Sequence, residues 1–233
     1  MAAVTPVPGH RFTALPRLEP VSAAPVPEPA TRAARKERTR QALLDAALEL
    51  SADRSFATVS LREVARRAGI VPTAFYRHFD SMEELGVALA ADTMRMLRRL
   101  LREARRARGP SSARASLETL VRQVRAHEQA FRFLARERHG GQPAVARTVT
   151  VELRLITSEL SVDLSRMPGM ADWEVDDLEM AADLLVTAML EVVLELLDVD
   201  RPGGPAEAEV LARAEKQMRL IVLGMGAWRP THR

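Results

Sequence analysis

Cysteine is absent from the 233-residue sequence. Its absence excludes a disulfide framework, a thiolate nucleophile and any zinc or iron–sulfur centre held by cysteine, and it is compatible with a reducing compartment. Aromatic residues are scarce at 4%, and Lys36 and Lys216 are the only lysines, so 32 of the 34 cationic side chains are arginine. Long apolar runs are missing as well. The most apolar stretch, residues 184–199, is interrupted by Glu191, Glu195 and Asp198. It is shorter than the roughly 20 residues a membrane span needs, and reads as a buried helix. The five histidines, His10, His78, His127, His139 and His232, are scattered, with no pair at the i, i+4 spacing of a helical metal site. Neither a metal centre nor a convergent acid–base set is indicated, so no cofactor and no enzymatic activity are expected.

What is present is helix-forming. Hydrophobic residues make up 47% and charged residues 28%, enough apolar side chain for a core. Ala, Leu, Arg and Glu recur with few β-branched runs, which predicts an all-α fold. Charge is unevenly divided: residues 1–30 are neutral, residues 31–110 carry a net +7 and the rest a net −4, giving +3 in all. A basic block followed by an acidic one is the pattern of a nucleic-acid-binding domain joined to a domain with another task.

Seven of the 14 prolines fall within the first 30 residues, without apolar periodicity, so residues 1–31 read as a disordered Pro/Ala-rich arm. The same prolines interrupt any apolar secretory segment there, and a cytoplasmic protein is expected. Arg11 and Arg17 in this arm either touch DNA or belong to a passive tail. From Arg32 to about Leu50, apolar residues at helical spacing follow a basic lead. Ser60 with Glu63, and Ser81 with Glu84, are capping boxes that open a second and a fourth helix, the fourth running until Gly109 and Pro110. Pro72 suits the first turn of a very short third helix, with Phe75 and Phe79 on one face. Beyond Pro110, helices are predicted near residues 112–127, 128–139, 143–167, 171–199 and 205–228, separated by Gly/Pro signals.

The run from Leu61 to Ile70 meets the demands of a helix-turn-helix. Val64 and Ala68 point inward, Ala65 is small where a second helix crosses, and Gly69 can take the positive φ of a tight turn. The second helix of such a unit lies in the major groove, which makes Pro72, Thr73, Ala74, Arg77 and His78 candidates for DNA contact. Tyr76, the only tyrosine, sits beside Phe75 and Phe79, so its ring can lean on the domain while its hydroxyl reaches a phosphate. Arg40, Ser60 and Arg62, with Arg66 and Arg67, can add backbone contacts; arginines at such spacing are also an ordinary solvated helix face.

Residues 35–85 resemble the DNA-binding domain of the TetR family of transcriptional repressors through Ser60-Leu61-Arg62-Glu63-Val64-Ala65, Ala68-Gly69-Ile70, Phe75-Tyr76-Arg77-His78-Phe79 and Ser81-Met82-Glu83-Glu84-Leu85. The usual Ser or Thr at the start of the recognition helix is replaced by Val71, so Pro72 and the backbone must set that start. Within the family, Gly69 to Phe79 and Ala130-Phe131-Arg132-Phe133-Leu134-Ala135-Arg136-Glu137-Arg138 are similar to FabR/DesT-type repressors of unsaturated fatty acid synthesis. The resemblance implies a helix-turn-helix domain over residues 32–80 and a helical ligand-binding and dimerisation domain over residues 81–230. It also implies a homodimer, a double-stranded DNA operator as partner and a long-chain acyl-CoA as effector.

Flexible Met94, Met96, Met180 and Met189 suit an adaptable pocket, or simply a helical core; Leu97, Phe131 and Leu134 join Met94 and Met189 as ligand candidates. Arg136 and Arg138 either meet phosphates at a pocket mouth or pair with Glu137 or Glu128. Leu184, Leu185, Ala188, Val192 and Leu196 form one apolar stripe, and Leu211, Met218, Val222 and Met225 another, as two helices of a four-helix dimer interface require. The expected function is a ligand-responsive repressor of lipid genes. The alternatives are a TetR-type repressor of another small hydrophobic ligand and a ligand-independent architectural DNA-binding protein.

Overall fold

The computed structural model describes residues 31–106 and 113–229; the arm expected over residues 1–31 lies almost wholly outside them. Within the described residues the chain is all helical. Helix α1 (Arg32–Leu50) begins where the Thr31 hydroxyl accepts the Ala34 N–H at 3.2 Å and ends where Ser51 donates to the Ala47 carbonyl at 2.6 Å. A 3-10 turn, Phe56–Thr58, which the sequence did not announce, follows under a Ser55 cap.

Helix α2 (Leu61–Arg67) starts with the predicted capping box: the Ser60 N–H donates to Glu63 Oε2 at 2.9 Å, and the Glu63 N–H donates to Ser60 Oγ at 3.3 Å. It ends in a Schellman turn, with the Ile70 N–H on the Ala65 carbonyl and the Gly69 N–H on the Arg66 carbonyl. Gly69 takes φ +71° there, the left-handed conformation that a side chain would strain. Helix α3 (Pro72–Phe75) starts on Pro72 with no side-chain cap from Val71. The second capping box differs in detail. The Glu84 N–H donates to Ser81 Oγ at 3.1 Å at the start of helix α4 (Met82–Arg106), but the Glu84 carboxylate accepts from the Asp80 N–H rather than from the cap residue.

The remaining helices are α5 (Ala113–Ala126), α6 (Glu128–Glu137), α7 (Pro143–Leu164), α8 (Val175–Asp198) and α9 (Pro205–Ala227). Helix α8 begins four residues later than predicted because residues 167–173 close two successive turns, Met170 N–H to Met167 and Trp173 N–H to Met170. Helix α4 packs along α7, α7 on α8, and α8 on α9.

Two main cores result. The first joins α1–α4 to α6 and α7 through Leu43, Phe56, Val64, Phe75, Leu85, Phe133, Leu134 and Val145. The second joins α5, α6, α8 and α9 through Leu117, Val124, Phe131, Val192, Leu196 and Val210. Helix α6 contributes to both, with Phe131 in the second and Phe133 and Leu134 in the first.

Candidate nucleic-acid interface

The three-helix unit sets its short third helix against a closed core. Phe75 and Phe79 are buried, and the fully buried Ala65 lets α3 cross α2 closely. With that face used internally, Pro72, Thr73, Tyr76 and Arg77 are left exposed, and Ala74 and His78 half-buried. Tyr76 is 60% exposed, its ring edge-on to Phe75 at 5.7 Å between centroids, which fixes the ring while leaving its far edge in solvent. Arg62 and Arg66 on α2 are exposed and make no side-chain bond among the described residues, so their guanidinium groups are available to an anion.

Two of the expected cations, Arg40 and Arg67, are otherwise engaged, and a further one, Lys36, joins them. Arg40 lies over the Phe79 ring at 5.2 Å and faces Asp92 at 3.6 Å and Glu37 at 4.0 Å, which ties α1 to α4 and to the segment preceding α4 before any phosphate is met. Arg67 pairs with Glu49 at 2.5 Å. Lys36, not singled out as a contact from the sequence, lies near enough to His78 for its charge to act there; the signal for it was its i, i+4 relation to Arg40 on α1. Burial first, and then the charges of Lys36, Arg77 and Arg40, hold the His78 imidazole below its ordinary value. Its Nδ1 is buried without a partner among the described residues.

Ser60 serves its helix start, its hydroxyl bonded to Glu63 Oε2 at 2.7 Å. The Glu63 carboxyl is pulled down to about 2, first by the hydrogen bond from Arg54 (2.7 Å) and then by those from Ser60.

The ligand candidates fall on both sides of one seam. Met94 and Leu134 belong to the first core, Phe131 and Met189 to the second, and Leu97 packs against both. Two surface clefts lie elsewhere. One of about 450 Å³ sits at the α8–α9 turn between Glu195, Asp198, Arg201 and Arg213. The other, of about 160 Å³, lies between α5 and α9.

Arg136 departs from both sequence readings. It pairs with neither Glu137 nor Glu128; its Nη1 donates to the carbonyls of Ser51, Ala52 and Arg54 at 2.8, 3.1 and 2.9 Å. Glu128 instead pairs with Arg132. Arg138 is half-buried, with no side-chain partner among the described residues.

The dimer stripe needs correction too. Val192 and Leu196 are buried in the second core, Leu211 packs on it, and Leu185 packs in a small third core with Leu178 and Ala182. The reason is that α8 carries an inner and an outer apolar row, which a single periodicity merges. Leu184 and Val222 do face outward, Ala188 and Met218 are half-buried, and exposed Met180, Leu220 and Leu223 were missed.

Residues 43–89 match the family described as bacterial regulatory proteins, tetR family, and residues 111–224 match the tetracyclin repressor-like C-terminal domain. Among solved structures, Salmonella enterica GusR is similar with a TM-score of 0.62 at 21% identity, over 82% of this chain and 96% of that one. A transcriptional regulator from Rhodococcus sp. RHA1 is similar with a TM-score of 0.58 at 22% identity, over 84% of this chain and 99% of that one. FadR from Bacillus subtilis, solved in complex with stearoyl-CoA, gives 0.59 at 15% identity, over 79% of this chain and 98% of that one. At these identities the likeness is one of fold.

Proposed function

The chain belongs to the TetR family of bacterial regulatory proteins, and on that premise we propose that it is a cytoplasmic repressor of fatty acid or lipid metabolism genes, of the FabR/DesT type, that senses a long-chain acyl-CoA. Family membership makes it a DNA-binding transcriptional regulator and not an enzyme. In this reading residues 32–80 bind the operator, and residues 81–230 bind the effector and dimerise.

The observation that carries operator binding is the outward row Thr73, Tyr76 and Arg77, flanked by exposed Arg62 and Arg66, which make no side-chain bond among the described residues. Thr73 and Ala74 at the start of α3 would meet base edges, while Tyr76, Arg77, Arg62 and His78 would hold phosphates. Two such units must stand about 34 Å apart to occupy successive major grooves. The outer apolar residues of α8 and α9, with Leu220 at 72% and Leu223 at 62% exposed, are the face a second copy would cover.

The seam between the two cores supports an apolar effector. A chain inserted beside Leu97 would part Met94 and Leu134 from Phe131 and Met189, and so shift one core against the other. Its leverage is bounded by its differential affinity for the two arrangements. The FadR structure holding stearoyl-CoA supports this chemistry for the fold. One observation favours a second reading, a hydrophobic effector without phosphates: Arg136, a candidate for those phosphates, is already bonded to three backbone carbonyls.

Fluorescence anisotropy on DNA from upstream of the protein's own gene and of neighbouring lipid genes tests both, at fixed salt because phosphate contacts dominate affinity. Saturated acyl-CoA, unsaturated acyl-CoA and the free fatty acids are the arms. Opposite responses to the two thioesters are expected. A response to free acids alone establishes the phosphate-free effector, and no response to any overturns the lipid reading.

A further inference from the structure

Helix α6 ends against the DNA-binding unit, and the contact is made of specific bonds as well as packing. Phe56, in the 3-10 turn between α1 and α2, is fully buried with its ring edge-on to Phe133 of α6 at 6.3 Å. Its N–H donates to Glu137 Oε1 at 2.9 Å, and the Ser55 hydroxyl donates to the same oxygen at 3.1 Å. One residue earlier, Arg136 Nη1 gathers the carbonyls of Ser51, Ala52 and Arg54. Two adjacent side chains of α6 thus hold a backbone segment more than 80 residues away, Arg136 by its carbonyls and Glu137 by an N–H. The following turn lies equally close: a Cβ on Gly141 would stand 2.6 Å from the Ala57 Cβ and 2.9 Å from Ser55 Oγ.

Glu137 is completely buried, and its Oε2 has no partner among the described residues. A buried carboxyl with one idle oxygen is a poor choice for stability alone, since unpaired buried polar atoms are costly; what it does achieve is direction. One turn earlier α6 is bonded to the ligand-domain core, where Arg132 Nη2 donates to the Leu197 carbonyl at the end of α8, 2.7 Å away. Successive turns of α6 are therefore fastened by polar bonds to the two sides, Arg132 to α8 and Arg136 with Glu137 to the segment between α1 and α2.

We propose that Arg136 and Glu137 are positioning residues that fix the angle of the helix-turn-helix unit on the ligand domain, and thereby the operator half-site spacing the dimer accepts. This rests on the reading of the chain as a dimeric operator-binding protein. Neither residue touches DNA in this account. Removing either leaves α1–α3 folded but lets the unit swivel about α4, so several spacings become acceptable in place of one.

The test uses the full chain and an operator selected by the wild-type protein from a randomised-site library, remade with one base pair added to or removed from its centre. For the wild type the selected spacing should be preferred by about tenfold, and in Arg136→Ala and Glu137→Ala that preference should shrink to about twofold. Glu137→Gln, which keeps the accepting oxygen, should retain the preference. A purely structural role would lower binding to all spacings by the same factor, because it would only reduce the folded fraction. If Glu137→Ala fails to fold, Arg136→Ala carries the test. A spacing preference kept intact in Arg136→Ala overturns the clamp and leaves the regulator reading standing. A wild-type chain that selects no discrete operator overturns that reading, and the clamp with it.

Discussion

Glycine to alanine inside a helix ordinarily stabilises, by about 1 kcal/mol from propensity alone. Gly86, in the second turn of α4, should do the reverse. An added Cβ there would stand 2.5 Å from Phe56 Cε1 and 2.9 Å from Val145 Cγ2. Ordinary contact begins near 3.4 Å, so the Phe56 ring would have to withdraw by about 0.9 Å. It has nowhere to go: Phe56 and Val145 are both fully buried, and the ring already stands edge-on to Phe133. Overpacking of this kind costs roughly 1–3 kcal/mol, and with two rigid neighbours the upper half of that range applies, leaving a net loss of about 1–2 kcal/mol after the propensity gain. For a chain of this size that lowers the thermal midpoint by roughly 2–8 °C. Thermal and urea unfolding of Gly86→Ala at a fixed protomer concentration would measure it. In the Phe56→Leu background the loss should shrink, because a smaller side chain leaves room for the Cβ. A midpoint that rises in Gly86→Ala, or equal effects in both backgrounds, would refute the close approach of α4 to the 3-10 turn.

Other outcomes follow from the interface and its supports. Because the folded Glu63 carboxyl titrates at about 2 instead of the ordinary 4.5, its contribution to stability is fully present above pH 4.5 and is lost as pH falls from there toward 2; urea midpoints from pH 6 down to 3 should flatten across that window in Glu63→Gln relative to wild type. Tyr76→Phe should weaken operator binding by about 1 kcal/mol, with little change in sequence preference, through loss of one phosphate hydrogen bond, and unchanged anisotropy titrations would remove Tyr76 from the contact set. Arg66→Ala should reduce the slope of log affinity against log salt by about 0.9, whereas Arg67→Ala, whose guanidinium is shared with Glu49, should reduce it less; equal reductions would show that the Glu49 pair opens on DNA. Leu220→Glu with Leu223→Glu should dissociate the proposed homodimer, seen by sedimentation against the wild type, and a dimer that persists would move the interface elsewhere.

The helix-turn-helix was legible because its signals are local. A capping box, a small crossing residue, a glycine turn and a proline start each act within a few residues, and together they leave one register for α2 and α3. Long-range partners were not legible. Nothing near Arg136 in the chain indicates three carbonyls at Ser51, Ala52 and Arg54, and its nearest acids, Glu137 and Glu128, are bonded elsewhere. The apolar face of α8 failed for a related reason: Val192 and Leu184 both satisfy a helical stripe, and only the position of α5 and α9 assigns the first to the core and the second to the surface.

That difference bears on how an effector could act. If the two domains met only along α4, a ligand at the seam would have to bend or tilt a 25-residue helix to move the recognition unit. Helix α6 offers a shorter route, since Phe131 lies in the ligand-domain core while Phe133, Leu134, Arg136 and Glu137 lie against the DNA-binding unit. Packed cores resist continuous deformation and respond by moving between discrete arrangements. On the proposed reading, an effector that displaced Phe131 would shift the fastening at Arg136 and Glu137 in the same movement, with no bend in α4 required. Residues 130–138 span this route: Phe131 sits in one core, Phe133 and Leu134 in the other, and Arg136 and Glu137 bond the segment between α1 and α2.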